Sequence, residues 1–139
     1  MKILKSISKL ILLCIFATTA FGQVDTSTVA KAASSAWLEK LDGSDIGGTW
    51  DSAASMFKSA ITREAWSKAA QAARGPLGKV KSRTEKSATS LSSLPGVPDG
   101  QYFVLQYDTE FENKSASVET ITMALDSDKE WRVAGYFIK

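Results

Sequence analysis

Two acidic side chains, Asp108 and Glu110, end the aromatic-rich run GQYFVLQYDTEF. Residues two positions apart on a β-strand lie roughly 6.6 Å apart on one face, a separation that suits two carboxylates acting as acid and base. A working pair also needs burial or a nearby charge that moves the two pKa values apart. The apolar residues alternate so that both carboxylates fall on the outer face, which favours a solvated surface over catalysis.

A third carboxylate, Glu119, falls on the apolar face of its strand in SVETITMAL. A charge there needs a partner or water. Arg83 on the first strand is the first candidate partner, with Arg63 and Arg74 as alternatives. Two interpretations stay open: a structural ion pair at one end of the core, or a polar group at the mouth of a pocket. The candidate pocket residues are Glu119, Arg83, Trp37, Trp50, Tyr107 and Thr109.

The composition excludes several kinds of chemistry. The chain has no histidine and one cysteine, Cys14. Serine–histidine and cysteine–histidine nucleophile schemes and histidine metal sites are therefore excluded. No catalytic constellation, metal site or cofactor is predicted.

Residues 1–22 have the pattern of a secretory signal peptide. A basic start is followed by the apolar run LILLCIF, and Ala20 and Gly22 are the small residues of a cleavage site. The apolar run is shorter than the ~20 residues of a membrane span. The sequence thus predicts a secreted, periplasmic protein cleaved after Gly22, with no stable membrane anchor afterwards. The basic residues of the signal are Lys2, Lys5 and Lys9.

Removal of this segment changes the charge. It takes away three of the 17 Lys and Arg residues and none of the 15 Asp and Glu residues, so the mature chain carries a net charge of −1. A nucleic-acid partner is therefore not predicted.

The remaining chain reads as a short tether, 23–28, followed by one domain, 29–139. Apolar residues at helical spacing predict helices over about 29–41, 50–61 and 63–77, with Ser27 or Thr28 capping the first and Thr62 the third. The period then changes to two and predicts strands near 79–90, 101–111, 117–125 and 130–138. This order predicts an α+β fold with three N-terminal helices packed on a curved, four-stranded antiparallel sheet.

Strand parity assigns the odd-numbered residues to the core, and each hairpin must then keep odd residues opposite odd ones. A three-residue loop, Asn113-Lys114-Ser115, is predicted between the second and third strands. The predicted pairs are Tyr107–Ile121, Leu105–Met123, Phe103–Leu125, Leu125–Trp131, Met123–Val133 and Ile121–Gly135.

The outer face of the predicted sheet carries more apolar surface than a soluble monomer needs, which suggests a homodimer or an envelope-protein contact. Its residues are Tyr102, Val104, Val118, Tyr136 and Ile138. Lys79, Lys81 and Arg83 share a face of the first strand. They either protect an edge strand from unwanted pairing or form an anion-binding stripe.

Four segments, TWDSAASMFKSAITREAW, RGPLG, LPGVPDGQYFVLQYDTEFENK and WRVAGYFIK, resemble the family known as domain of unknown function 4019, small exported bacterial proteins. The resemblance covers about residues 29–139. It implies a cystatin- or NTF2-like α+β arrangement and a bacterial envelope location. It implies no reaction and no catalytic residues.

The leading functional hypothesis is a non-enzymatic module that binds a small ligand between helices and sheet, or a protein on the outer sheet face. The alternative is a small acid/base enzyme with Glu119 or Asp108 as the base. A third hypothesis is a structural component of a larger envelope assembly. An interior filled by Trp37, Trp50 and Trp66 would favour protein binding, and an open one would favour ligand binding or catalysis.

Overall fold

A computed structural model describes residues 25–139 of the protein. The predicted signal peptide and the first residues of the predicted tether lie outside this range. Four antiparallel strands form one open sheet in the order β1-β2-β3-β4, preceded by four helices, which confirms the α+β class. The elements are α1 (Thr26–Asp42), α2 (Ile46–Asp51), α3 (Ser55–Ala60), α4 (Arg63–Arg74), a 3-10 turn (Gly75–Leu77), β1 (Val80–Leu91), β2 (Tyr102–Phe111), β3 (Lys114–Leu125) and β4 (Trp131–Ile138). No helix within residues 25–139 is both long and apolar enough to cross a membrane.

Helix α1 begins earlier than predicted. Its N-cap is Asp25, whose side chain accepts a hydrogen bond from the backbone N–H of Ser27, so neither Ser27 nor Thr28 is the cap. Residues 26–28, predicted as tether, therefore belong to the helix. The helix ends at Asp42 with Gly43 as its C-cap, and Thr62 caps α4, both as predicted.

The prediction of one helix over 50–61 is wrong, because two short helices occupy this region. Helix α2 begins at Ile46, where the Asp45 side chain accepts a hydrogen bond from the Gly48 N–H. The chain becomes extended at Ala54, whose N–H donates to the Val133 carbonyl of β4 at 2.8 Å. This bond to the sheet separates α2 from α3.

Strand parity holds in β2 and β3. Helix α1 packs on the inner sheet face, and the odd-numbered side chains of both strands are buried beneath the helices. The buried odd-numbered residues are Phe103, Leu105, Tyr107, Thr109 and Phe111 in β2 and Ser117, Glu119, Ile121 and Met123 in β3.

The predicted β2–β3 register is off by two residues, although each side chain keeps its face. Leu105 pairs with Ile121, and Phe111 pairs with Lys114 around a two-residue turn, with a bulge between this turn and the regular ladder. The turn residues Glu112 and Asn113 donate backbone hydrogen bonds to the carbonyls of Lys79 and Leu77. Contacts with the segment before β1 thus fix the turn at residues 112–113. The predicted loop, 113–115, lies further along the chain than this turn.

A bulge in β4 reverses parity in the last strand. Leu125 pairs with Trp131 and Met123 with Val133, as predicted, but one extra residue, Ala134, follows and Ile121 then pairs with Tyr136. The predicted outward positions of Tyr136 and Ile138 are wrong, because the extra residue turns both towards the inner face. Phe137, predicted inside, is 49% exposed on the outer face.

Tyr102 is also not a surface residue. It is 4% exposed and packs with Ala54 and Ala124 in a second apolar cluster, and its hydroxyl donates to the Pro98 carbonyl. The loop between β1 and β2 therefore covers one end of the outer face. Of the predicted partner surface, Val104 and Val118 remain on that face, and both are half-buried.

Candidate functional site

The inward-facing carboxylate of Glu119 is the centre of a buried polar network. Glu119 lies in β3 between Tyr107 of β2 and Ile138 of β4 and has 0% exposure. Four hydrogen bonds reach its two oxygens. Oε2 accepts from Arg83 Nε at 2.6 Å and Thr109 Oγ1 at 2.6 Å, and Oε1 accepts from Tyr136 OH at 2.6 Å and Arg83 NH2 at 3.2 Å.

These bonds occupy the whole acceptor capacity of the group. An ionised carboxylate offers about four lone-pair positions, two on each oxygen. Each Glu119 oxygen receives two donors, and one of the donor residues, Arg83, binds in a bidentate manner. The Glu119 carboxylate therefore has no free position from which to take a substrate proton.

Two arginines and Asp42 extend the network towards the surface. Arg83 donates to both Asp42 oxygens at 2.7 and 3.0 Å. Arg74 binds Asp42 at 2.7 Å, lies 3.6 Å from Glu119 and stacks over the Phe111 ring at 5.0 Å. Two carboxylates thus face two guanidinium groups, and charge is balanced, as burial requires.

The pKa values of the network residues reflect the same contacts. Burial would raise the pKa of Asp42, but hydrogen bonds from Arg83 and Arg74 outweigh it and hold this pKa below its ordinary value. Burial, and then the adjacent Glu119 charge, raise the pKa of the Tyr136 hydroxyl, so Tyr136 stays a neutral donor.

Aromatic side chains fill the interior beside this network. Trp37 contacts Tyr136 at 5.3 Å and Trp66 at 5.9 Å between ring centroids. Thr49 of α2 links the two indoles, because its carbonyl accepts from Trp37 Nε1 at 2.9 Å and its hydroxyl accepts from Trp66 Nε1 at 2.8 Å. Trp37, Trp66 and Thr49 are all buried, so packed side chains occupy the space between α1, α4 and the sheet.

The candidate pocket residues are brought together only in part. Glu119, Arg83 and Thr109 are in direct contact. Tyr107 is the cross-strand neighbour of Glu119, but its hydroxyl binds Ser34 of α1 at 3.3 Å. Trp37 reaches the network only through Tyr136, and Trp50 binds the Ile61 carbonyl at 2.9 Å instead.

Sequence reasoning missed Asp42 and Tyr136 as members of the network. The helix dipole disfavours a negative charge in the last turn of a helix. Asp42 is the last residue of α1, so a cation near it is needed to offset this cost, and this was the signal available in the sequence. No comparable signal marked Tyr136, because the bulge at Ala134 decides its direction.

Asp108 and Glu110 lie on the outer face, as predicted, and each has a lysine partner. Glu110 binds Lys81 at 2.8 Å, and Asp108 lies 3.7 Å from Lys86. Both lysines are the extra residues of bulges in β1. The bulge at Lys81 also separates this lysine from Arg83, which turns inward, so Lys79, Lys81 and Arg83 do not form one stripe.

The structure thus defines an α+β domain whose interior is packed around a charge-balanced polar network. The chain belongs to the DUF4019 family, described as a protein of unknown function, which matches residues 33–136. No curated protein matches the chain, and no solved structure matches it.

Proposed function

We propose that the protein is an exported, non-enzymatic binding module that recognises another protein through its surface. In this proposal the helices and sheet form a cystatin- or NTF2-like scaffold whose interior, between helices and sheet, is closed. The protein acts in the bacterial envelope after cleavage behind Gly22, a proposal that rests on the signal pattern of residues 1–22.

The observation that carries this proposal is the occupied interior. Buried Trp37, Trp66 and Tyr107 stand where a ligand would need space. Glu119, the polar group expected at a pocket mouth, has no exposed surface.

A binding site for a small molecule is usually a cleft of roughly 300–1,000 Å³ with a few free polar groups directed into it. Side chains fill the space between α1, α4 and the sheet, and the cleft of about 570 Å³ beside Asp42 and Arg74 lies outside that space. The Asp42 and Arg74 side chains at this cleft are already paired with each other.

The same contacts weigh against the acid/base alternative. A general base must come within hydrogen-bond reach of the proton that it removes, and every acceptor position of Glu119 is already used. Asp108 is exposed and lies beside Lys86, without the burial that would adapt a carboxylate for catalysis near neutral pH.

Site-specific photocrosslinking in cells tests the proposal. The large apolar side chains exposed in the described part of the chain are Val29 at 40%, Val97 at 38% and Phe137 at 49%. A benzophenone amino acid is placed at each position in turn, with Lys40, an exposed polar position, as the control. We expect a discrete crosslinked protein from at least one apolar position and none from Lys40. The absence of a product from all three would contradict protein binding.

A further inference from the structure

We propose that the free edge of β4, with the apolar groove beside α4, binds an extended, acidic peptide segment of a partner protein by strand addition. This inference rests on the proposed function and gives it a site and a partner chemistry. Such binding combines backbone hydrogen bonds for affinity with side-chain pockets for specificity.

The groove runs between α4 and the C-terminal half of β4 and has a volume of about 370 Å³. Ala69 and Ala73 of α4 and Leu77 of the following turn form one wall, and Tyr136 and Ile138 of β4 form the other. Ala69 and Ala73 are exposed on a helix whose Trp66 and Ala70 are buried. The small alanines therefore leave room for side chains from outside.

The backbone of β4 offers unpaired groups along this groove. Lys139 and Val118 exchange both backbone hydrogen bonds at 3.0 Å. In an antiparallel ladder such pairs alternate with pairs whose N–H and C=O groups point away from the partner strand. The N–H and C=O groups of Ile138 and Tyr136 thus point away from β3, and no other described residue hydrogen-bonds to them.

The other exposed edge of the sheet looks different. Strand β1 has bulges at Lys81 and Lys86 and a polar surface, which are the usual protections against strand pairing. The first half of β4 is covered by the bond from Ala54 to Val133. Within residues 25–139, only the second half of β4 combines a free backbone edge with an adjacent apolar wall.

The charges around the groove select an acidic partner. Lys114 lines the groove, and Lys139 Nζ lies 5.9 Å from the Phe137 ring centroid. Neither lysine forms an ion pair with another residue of the described chain, and no acidic residue lines the groove. A second copy of the chain paired through β4 would bring these lysines together, so a partner with carboxylates is favoured over a homodimer.

The test uses the synthetic peptide acetyl-Asp-Val-Thr-Val-Thr-Val-Asp-amide and protein purified from cells that express the full chain. Binding is measured by isothermal titration calorimetry. Ala69→Arg blocks the groove, and Ala72→Arg makes the same change at an exposed position of α4 outside the groove. We expect Ala69→Arg to weaken binding at least about tenfold, because the arginine occupies the groove, and Ala72→Arg to leave binding unchanged. A tenfold weaker affinity corresponds to a loss of about 1.4 kcal/mol of binding free energy.

Two further measurements test the mode of binding. Lys114→Glu should weaken binding of the acidic peptide and strengthen binding of a matched peptide that has lysine in place of both aspartates. In a second peptide, the backbone nitrogens of the three valines, which occupy every second position, are methylated. This removes the N–H donors needed for strand addition and should abolish binding. The inference would be overturned if Ala69→Arg and Ala72→Arg had equal effects. It would also be overturned if the methylated peptide bound as well as the unmethylated one, or if the acidic peptide did not bind. If crosslinks then form only at Val29 or Val97, the proposed function stands and this site alone is wrong.

Discussion

Glu119 shows how a carboxylate is held within an apolar core. Removing a charge from water costs several kcal/mol unless nearby groups replace the lost hydration. Arg83, Thr109 and Tyr136 replace it with direct hydrogen bonds, and Asp42 balances the charge of the second arginine, Arg74. The network ties α1, α4 and all four strands together, which makes it a structural feature of the fold.

A double-mutant cycle at Glu119 and Arg83 tests whether this ion pair has a structural role. Glu119→Met leaves two arginines facing one carboxylate, so we expect the free energy of unfolding to fall by about 3–5 kcal/mol. Arg83→Met should cost a similar amount. The double variant Arg83→Met with Glu119→Met keeps the balanced Asp42–Arg74 pair and should be more stable than either single variant. Urea unfolding of all four proteins gives these values.

Additive losses in the double variant would contradict this account, because independent residues add their effects. Lys40→Met, which removes an exposed charge from α1, is the control and should change stability by less than about 0.5 kcal/mol.

The residues of the network were only partly predictable. Parity alone puts Glu119 and Arg83 on one face of the sheet, and the structure brings them into contact. Asp42 depends on where the end of α1 meets the sheet, and Tyr136 depends on a single extra residue in β4. Both are tertiary features that a periodic pattern does not contain.

The helices follow the same division between local and tertiary causes. The Thr62 side chain caps α4, and Gly43 directly follows the last residue of α1. Both helix ends were predictable from local residue type. The division between α2 and α3 was not, because the Ala54 N–H bonds to a strand almost 80 residues further along the chain. The strands themselves followed from alternation, whereas their bulges did not.

Capping of α2 yields an element-scale prediction. Asp45 accepts the Gly48 N–H at 3.0 Å, and α2 carries Thr49, which holds both buried indoles. Asp45→Ala should lower the free energy of unfolding by about 1 kcal/mol, and Asp45→Asn, which keeps an acceptor, should cost only a few tenths. Thermal unfolding followed by circular dichroism measures both. Equal losses in the two variants would show that the cap does not stabilise α2.

At the scale of the whole molecule, the interior and the surface differ in the space that they offer a partner. Aromatic side chains and a charge-balanced polar network occupy the interior, so the proposed recognition takes place on the exterior. The two edges of the sheet are unequal: β1 is polar and bulged, and β4 presents apolar residues and free backbone. In the proposed binding mode, the partner strand therefore adds to β4 and not to β1.

The closed interior is the central claim, and hydrogen exchange of the tryptophan indole N–H protons tests it most directly. Trp37 and Trp66 are buried and donate to Thr49, and the free indole of N-acetyltryptophanamide serves as the exposed reference. Measured by NMR, the Trp37 and Trp66 protons should exchange at least about a thousandfold more slowly than that reference, because their exposure requires global opening. Exchange of the Trp37 and Trp66 protons at nearly the rate of the free indole would mean that water enters the interior, which contradicts a closed interior.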